Sequence, residues 1–279
     1  MYQNFNTRKI SFVLTIKILF GNVITQLGWG VVVFGQVFFI SFAMQADFSD
    51  FYLGKNSPKT KGKIIEINNT NARINKRFIY EFHYEYEVKT KKLKAFSYST
   101  NKDIQVNDIV NIEYMNNKPE YSRIEGMQQK TFPIYAISVV IITLVGITIV
   151  VINLLKQIKN IQLLKTGIIT KGKFIKMEPT NVKVDNQSMM RLYFEFIDYL
   201  GKTQTVSADV LDLKGLQDEP EETIFYDKNK PSKAVLIDGL PSKIKLLSDN
   251  TFEDTNTAMA FVYLILPFLG LISILMAFV

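Results

Sequence analysis

The 279-residue chain contains no cysteine. That absence excludes disulfides, a lipid-modified cysteine, a thiolate nucleophile and any cysteine-bound zinc site. Histidine occurs once, at His83, and tryptophan once, at Trp29. A single imidazole excludes paired-histidine metal motifs, and neither Gly-x-Ser-x-Gly nor Gly-x-Gly-x-x-Gly occurs. Charge of one sign is also scarce: 33 basic against 26 acidic residues leave +7, with no run of five lysines or arginines. A dedicated nucleic-acid patch is therefore not expected. A mild basic excess reads first as cytoplasmic-side loops and anionic lipid headgroups.

Apolar residues are plentiful but uneven. They make up 47% of the chain at a mean hydropathy of +0.08, and they gather in three blocks separated by two long polar stretches. The first block, residues 10–44, exceeds one span of about 20 residues and falls short of two with a turn. Lys17, Asn22 and Gln26 interrupt its first half. The expectation is an interfacial amphipathic helix over 1–22, with Lys17 reaching the headgroups, then a first span over 23–44 with Trp29 near headgroup level. The block is too long for a signal-peptide core and lacks a small-x-small cleavage pattern, so it reads as an uncleaved anchor. A second span covers 132–155, closed by Lys156 and Lys159. A third covers 258–279, uncharged to the last residue and so ending near the far membrane surface. Gly21, Gly28 and Gly35 recur every seven residues on one helix face. Small residues let helices approach closely in lipid, which makes these three the helix-packing candidates.

The two polar stretches, 45–131 and 156–257, resemble each other. Lys61-Gly62-Lys63-Ile64-Ile65 matches Lys171-Gly172-Lys173-Phe174-Ile175 at an offset of 110, and Tyr84-Glu85-Tyr86 falls on Phe194-Glu195-Phe196. Tyr114 with Asn117-Lys118-Pro119 matches Tyr226 with Asn229-Lys230-Pro231 at 112. The duplicated unit is one span plus one domain. From Tyr80 to Val88 apolar and polar residues alternate strictly, the mark of a half-buried strand. Phe82, Tyr84, Phe194 and Phe196 are expected inside, and Glu81, His83, Glu85 and Glu195 outside. The fold class that follows is α-helical membrane spans plus two small all-β domains, each a five-stranded barrel or sandwich.

These residues, with Tyr-Ser-Arg-Ile-Glu-Gly-Met at 121–127 and Ala-Val-Leu-Ile-Asp-Gly-Leu-Pro at 234–241, resemble the bacterial membrane proteins carrying domain of unknown function 3592. The resemblance covers about residues 24 to 245. It implies the duplicated architecture and a bacterial cytoplasmic membrane, and it carries no active site across.

Three motifs invite chemistry and lack parts of it. Gly167-Ile168-Ile169-Thr170-Lys171-Gly172-Lys173 has the letters of a phosphate loop, but Phe174 stands where Ser or Thr would hold magnesium. His83 between Glu81 and Glu85 reads as a solvated strand face ahead of a metal site. Asp218, Glu219, Glu221 and Glu222 around Pro220 lack the spacing and glycine turn of a calcium loop. No cofactor, metal or small-molecule substrate is expected. The leading function is a non-enzymatic accessory or scaffold subunit whose β-domains bind partner proteins, in contact with lipid and a membrane-protein partner or further copies of itself. The alternatives are an oligomeric transport or channel component and, third, an enzyme with an unfamiliar site. Counting basic residues near the span ends gives eight on the N-terminal and second-domain side against five on the first-domain side. That puts the N-terminus and second domain in the cytoplasm and the first domain outside.

Overall fold

A computed structural model of the chain describes residues 7–184, 187–210, 221–241, 244–247, 251–254 and 257–277. It divides into two compact units, one of Phe34–Thr143 with Met276–Val279 and the other of Met1–Val33 with Leu144–Leu275. Three helical segments are long and apolar enough to cross a membrane: Val23–Gln45, Ile134–Thr166 and Ala258–Met276. They contain the helices α2 (Val23–Ser41), α3 (Val140–Thr166) and α4 (Ala258–Met276).

The first unit is built on an antiparallel sheet of β1 (Lys59–Ile74), β2 (Arg77–Val88), β3 (Lys91–Ser99), β4 (Ile109–Met115) and β5 (Lys118–Ile124), in the order β3-β2-β1-β4-β5. Alternation along β2 puts Phe82, Tyr84 and Tyr86 on one face, where Ile64, Ile112 and Ile124 join them in the core. Each fully buried large side chain there contributes about 2 kcal/mol of burial. The β1–β2 register shifts between Ile64 and Glu66, a bulge that bends the long strand. Beyond the ladders, an isolated bridge pairs Tyr98 with Gln128, tying the β3 edge to the segment after β5.

In the second unit β6 (Ile168–Val184), β7 (Gln187–Ile197), β8 (Thr203–Val210), β9 (Glu222–Tyr226) and β10 (Ala234–Leu236) form a sheet in the order β10-β9-β6-β7-β8. Taken from β8, this order runs as the first does from β3. The β6–β7 register shifts between Phe174 and Lys176. Phe194, Phe196, Leu192, Ile224 and Tyr226 fill its core. A short hairpin, β11 (Ile244–Leu246) with β12 (Phe252–Asp254), follows. Both sheets need a glycine at one point of their central strand. A Cβ at Gly62 would lie 2.7 Å from Cγ1 of Ile112, and one at Gly172 would overlap Cδ1 of Ile224.

Two expectations about helix ends change. At about 1.5 Å per residue, the 27 residues of α3 run about 40 Å, beyond the ~30 Å hydrocarbon core. Lys156 and Lys159 bound the apolar run without ending the helix, which continues to Thr166 and carries the second sheet. Ahead of α2, α1 (Phe12–Phe20) is capped by Ser11, whose hydroxyl accepts the Leu14 N–H at 3.1 Å. This helix is expected to lie along the membrane interface with Lys17 reaching the headgroups. Instead Leu14 and Ile18 are fully buried against Ile161 and Leu164 of α3 and Phe225, Val235 and Ile237 of the second domain. Lys17, one turn from Leu14 on the same face, is buried with them.

Candidate functional site

The sheet of the first unit buries charge at one end. On β4 and β5 the inward residues are Ile112, Ser122 and Ile124, so alternation aims Glu113 and Arg123 at the opposite, outer face. Both are nevertheless buried. The cover is the turn that follows α2, with 3-10 turns at Ala43–Gln45 and Ser49–Phe51. Arg123 Nε donates to Glu113 Oε2 at 3.1 Å. Its Nη1 donates to Ser49 Oγ at 2.9 Å and to the Asp50 carboxylate. Asp47, also buried, accepts the Ser49 N–H at 2.8 Å, the Ser49 hydroxyl at 2.9 Å and the Gln129 N–H at 3.1 Å. The Asp47 N–H donates to the Phe132 carbonyl at 2.7 Å, and Phe132 N–H to that of Gln45 at 3.0 Å.

The consequence is mechanical. Gln45 closes the first candidate span and Phe132 lies two residues before the second. One cluster therefore ties the end of one span, the approach to the next and two strands of the sheet. A buried guanidinium paired with a buried carboxylate is rigid because removing either Arg123 or Glu113 leaves the other charge in low dielectric. Phe132 also stacks edge-on against Phe42 at 5.1 Å between ring centroids, and Phe42 against Phe38 at 5.9 Å.

In the second unit the helices meet through small residues. A Cβ at Gly28 would come 2.9 Å from Cγ2 of Val150, and one at Gly146 2.8 Å from the Val32 nitrogen. Gly21 sits at the α1–α2 break, where a Cβ would meet the Tyr263 ring at 2.7 Å. In the first unit, Gly35 packs on Thr143, 2.5 Å from its Oγ1 to an added Cβ. Trp29, expected near the headgroups, lies over Gly270 of α4, where the glycine leaves room for its ring.

A polar pin joins these helices. Pro267 lies inside α4 and has no N–H for the carbonyl four residues earlier, that of Tyr263. Gln26 Nε2 donates to this carbonyl at 2.8 Å and to the Phe20 carbonyl at the end of α1 at 2.6 Å. A residue that interrupts the first apolar block thus satisfies two backbone acceptors that water would otherwise have to reach. Arg8 does similar work on α3, its Nη1 donating to the carbonyls of Leu164 at 3.1 Å and Gly167 at 2.9 Å.

The remaining motifs are absorbed by the fold. Gly167 ends α3, its N–H donating to the Leu163 carbonyl at 2.7 Å. Ile168 to Gly172 then pair with β9, so a helix precedes a strand, the reverse of a phosphate loop. His83 and Glu81 were expected to be exposed but are half-buried, unlike Glu85 and Glu195, which are exposed. The cause is local: His83 Nε2 and Glu81 Oε2 are 2.9 Å apart, the Tyr98 hydroxyl donates to Glu81 Oε1 at 2.7 Å, and Phe96 covers the imidazole. Burial alone would raise the Glu81 pKa, but the bonds from Tyr98 and His83 hold it below the usual carboxylate range. Among the described residues no group of three His, Cys, Asp or Glu could hold a metal ion. Asp218, Glu219 and Pro220 lie outside the described residues.

No family model matches the chain, and no curated protein matches it. Four chains among solved structures do. One, described as "Molecular basis for abrogation of activation of pro-inflammatory cytokines", is 12% identical over 66% of this chain and 92% of its own, with a TM-score of 0.15. A likeness that slight carries no argument about fold or function.

Proposed function

We propose that the protein is a non-enzymatic, membrane-anchored scaffold or accessory subunit that holds a membrane-protein partner, or further copies of itself, through its β-domains. The observation that carries this reading is the buried cluster around Arg123. It fixes the first domain to its span ends, as a platform requires and a tethered, freely swinging domain does not. The reading includes duplication of span plus domain. It is supported by the common strand order, the register shifts after Ile64 and Phe174, and the central-strand glycines at 62 and 172. It also includes barrel-like closure of the first sheet, supported by the Tyr98–Gln128 bridge and the Ser97 hydroxyl accepting the Ile124 N–H at 2.9 Å. Membership in the family carrying domain of unknown function 3592, in a bacterial cytoplasmic membrane, belongs to the same proposal and rests on the residues quoted for it.

Three crossings put the two domains on opposite faces of the membrane, and the basic-residue bias puts the second in the cytoplasm. Protease added to inverted vesicles then cuts the second domain and spares the first; cleavage of both from one side rules out three crossings. The scaffold reading is tested by purifying the tagged protein from its native membrane in mild detergent. A partner or a second copy retained in fixed ratio supports it, and a strictly monomeric, partnerless particle counts against it.

A further inference from the structure

The β1–β2 hairpin projects past the end of the first sheet at which its spans depart. Strand pairing places that end. Tyr98, next to last on β3, bridges Gln128, six residues ahead of the second candidate span. Asp47, two residues past the first span, accepts the neighbouring Gln129 N–H and donates its own to the Phe132 carbonyl. The pairing of β3 ends at Ser99, opposite Tyr80, whereas β1 and β2 continue together until Ile74 faces Arg77. Residues 70–79 therefore stand beyond β3 on the span side. Along residues 77–79 they reach about 10 Å further, at ~3.3 Å per residue.

The tip of this hairpin is basic. Between Glu66 and Glu81 the chain has Arg73, Lys76 and Arg77 and no acid, and all three are exposed. The Arg73 guanidinium lies 4.0 Å from the centre of the half-buried Phe78 ring, which holds its charge at the tip. Asn75 and Lys76 make the two-residue turn, both with positive φ, 50° and 67°. Such a turn favours glycine at its second position and strains a lysine there, so a charge stands where the turn alone selects none. A hairpin at this place does not require the charge. The stretch at the same offset in the β6–β7 hairpin, where Val184 pairs with Gln187, reads Lys183-Val184-Asp185-Asn186-Gln187, one base and one acid.

We propose that the β1–β2 hairpin rests on the bilayer surface, with Arg73, Lys76 and Arg77 binding anionic lipid headgroups. The occupant is lipid because the hairpin extends toward the side on which both spans enter the bilayer, and because three cations without an acid match anionic phosphates. The absence of cysteine makes a clean test. Full-length Ile74→Cys, carrying a fluorophore, is reconstituted into vesicles of neutral phosphatidylcholine, with or without phosphatidylglycerol, that contain a headgroup-spin-labelled lipid as quencher. Thr90→Cys, in the β2–β3 turn at the opposite end of β2, is the reference. Quenching at position 74 should exceed that at 90 when phosphatidylglycerol is present, and the excess should shrink in neutral vesicles and in high salt. Lys76→Gly relaxes the turn, so it removes one charge with the ladder intact. It should reduce the excess, and adding Arg73→Gln and Arg77→Gln should reduce it further. Equal quenching at 74 and 90, or an excess that ignores lipid charge, salt and these substitutions, overturns the proposal. So does protection of position 74 that appears only when another membrane protein is added.

Discussion

At corresponding ladder positions the two sheets bury opposite chemistry. In the first, Glu113 pairs across β4–β5 with Arg123; in the second, Phe225 pairs across β9–β10 with Val235. All four are buried. What differs is the cover. Glu113 and Arg123 meet a turn rich in Asp and Ser, which supplies charge-assisted hydrogen bonds, whereas Phe225 and Val235 meet apolar residues of α1 and α3. The inner face differs in the same way. The Tyr84 hydroxyl bonds Ser122 Oγ at 2.9 Å; the matching second-sheet positions are Phe194 and Ala234, which need no such bond. One strand arrangement thus accepts either a satisfied polar pair or an apolar pair at the same place, as expected when only an unpaired buried group is costly.

Breaking the outer pairs gives the largest effects. Arg123→Ala leaves buried Glu113 with only the half-exposed Lys59 ammonium 3.9 Å away and should cost the first domain about 3–5 kcal/mol. Phe225→Ala should cost the second a similar 3–5 kcal/mol through the cavity it opens. Denaturant unfolding, followed separately in each domain by hydrogen exchange, reads both. The sharper trial is the transplant Glu113→Phe with Arg123→Val. It should destabilise less than Arg123→Ala alone, because no lone charge remains; a larger loss would mean the two ladder positions are not interchangeable.

Smaller effects follow on the inner face. Tyr84→Phe should cost about 1 kcal/mol by orphaning the Ser122 hydroxyl, and adding Ser122→Ala should recover part of it. Burial pushes the Tyr84 hydroxyl up to about 12, so this bond should hold unchanged through neutral and mildly alkaline pH. The smallest effect concerns Glu81, at whose ladder position the second sheet pairs Arg191 with Asp209. Its folded pKa lies below its ordinary value, so its contribution is complete above the usual carboxylate range and is lost as pH falls through the folded value. Melting curves of wild type and Glu81→Gln should differ at neutral pH and converge below roughly pH 4.

Much of this was legible in the residues. Three apolar blocks correspond to three helical segments long enough to span, and alternation sorted Phe82, Tyr84, Phe194 and Phe196 inward. Where the reading fell short, the cause lay outside the strand or helix concerned. Arg123 counted only as a charge near a span end, because nothing in β5 announces that a turn 70 residues earlier covers its outer face. Lys17 was assigned to headgroups because the helix pattern cannot say whether its stripe meets lipid or protein. Gln26 read as an interruption, since its partner carbonyl is set free by Pro267, over 200 residues away. Periodicity records which face turns inward, and only the fold supplies what lies against it.

The Arg123 cluster couples the first sheet to both of its span ends. Hydrogen exchange on the full-length protein, wild type against Arg123→Ala, measures it most directly. Residues 45–53 and 128–132 should lose protection together with β4 and β5, while β6 to β10 keep theirs. Loss confined to β5, with 45–53 and 128–132 as protected as before, would contradict it.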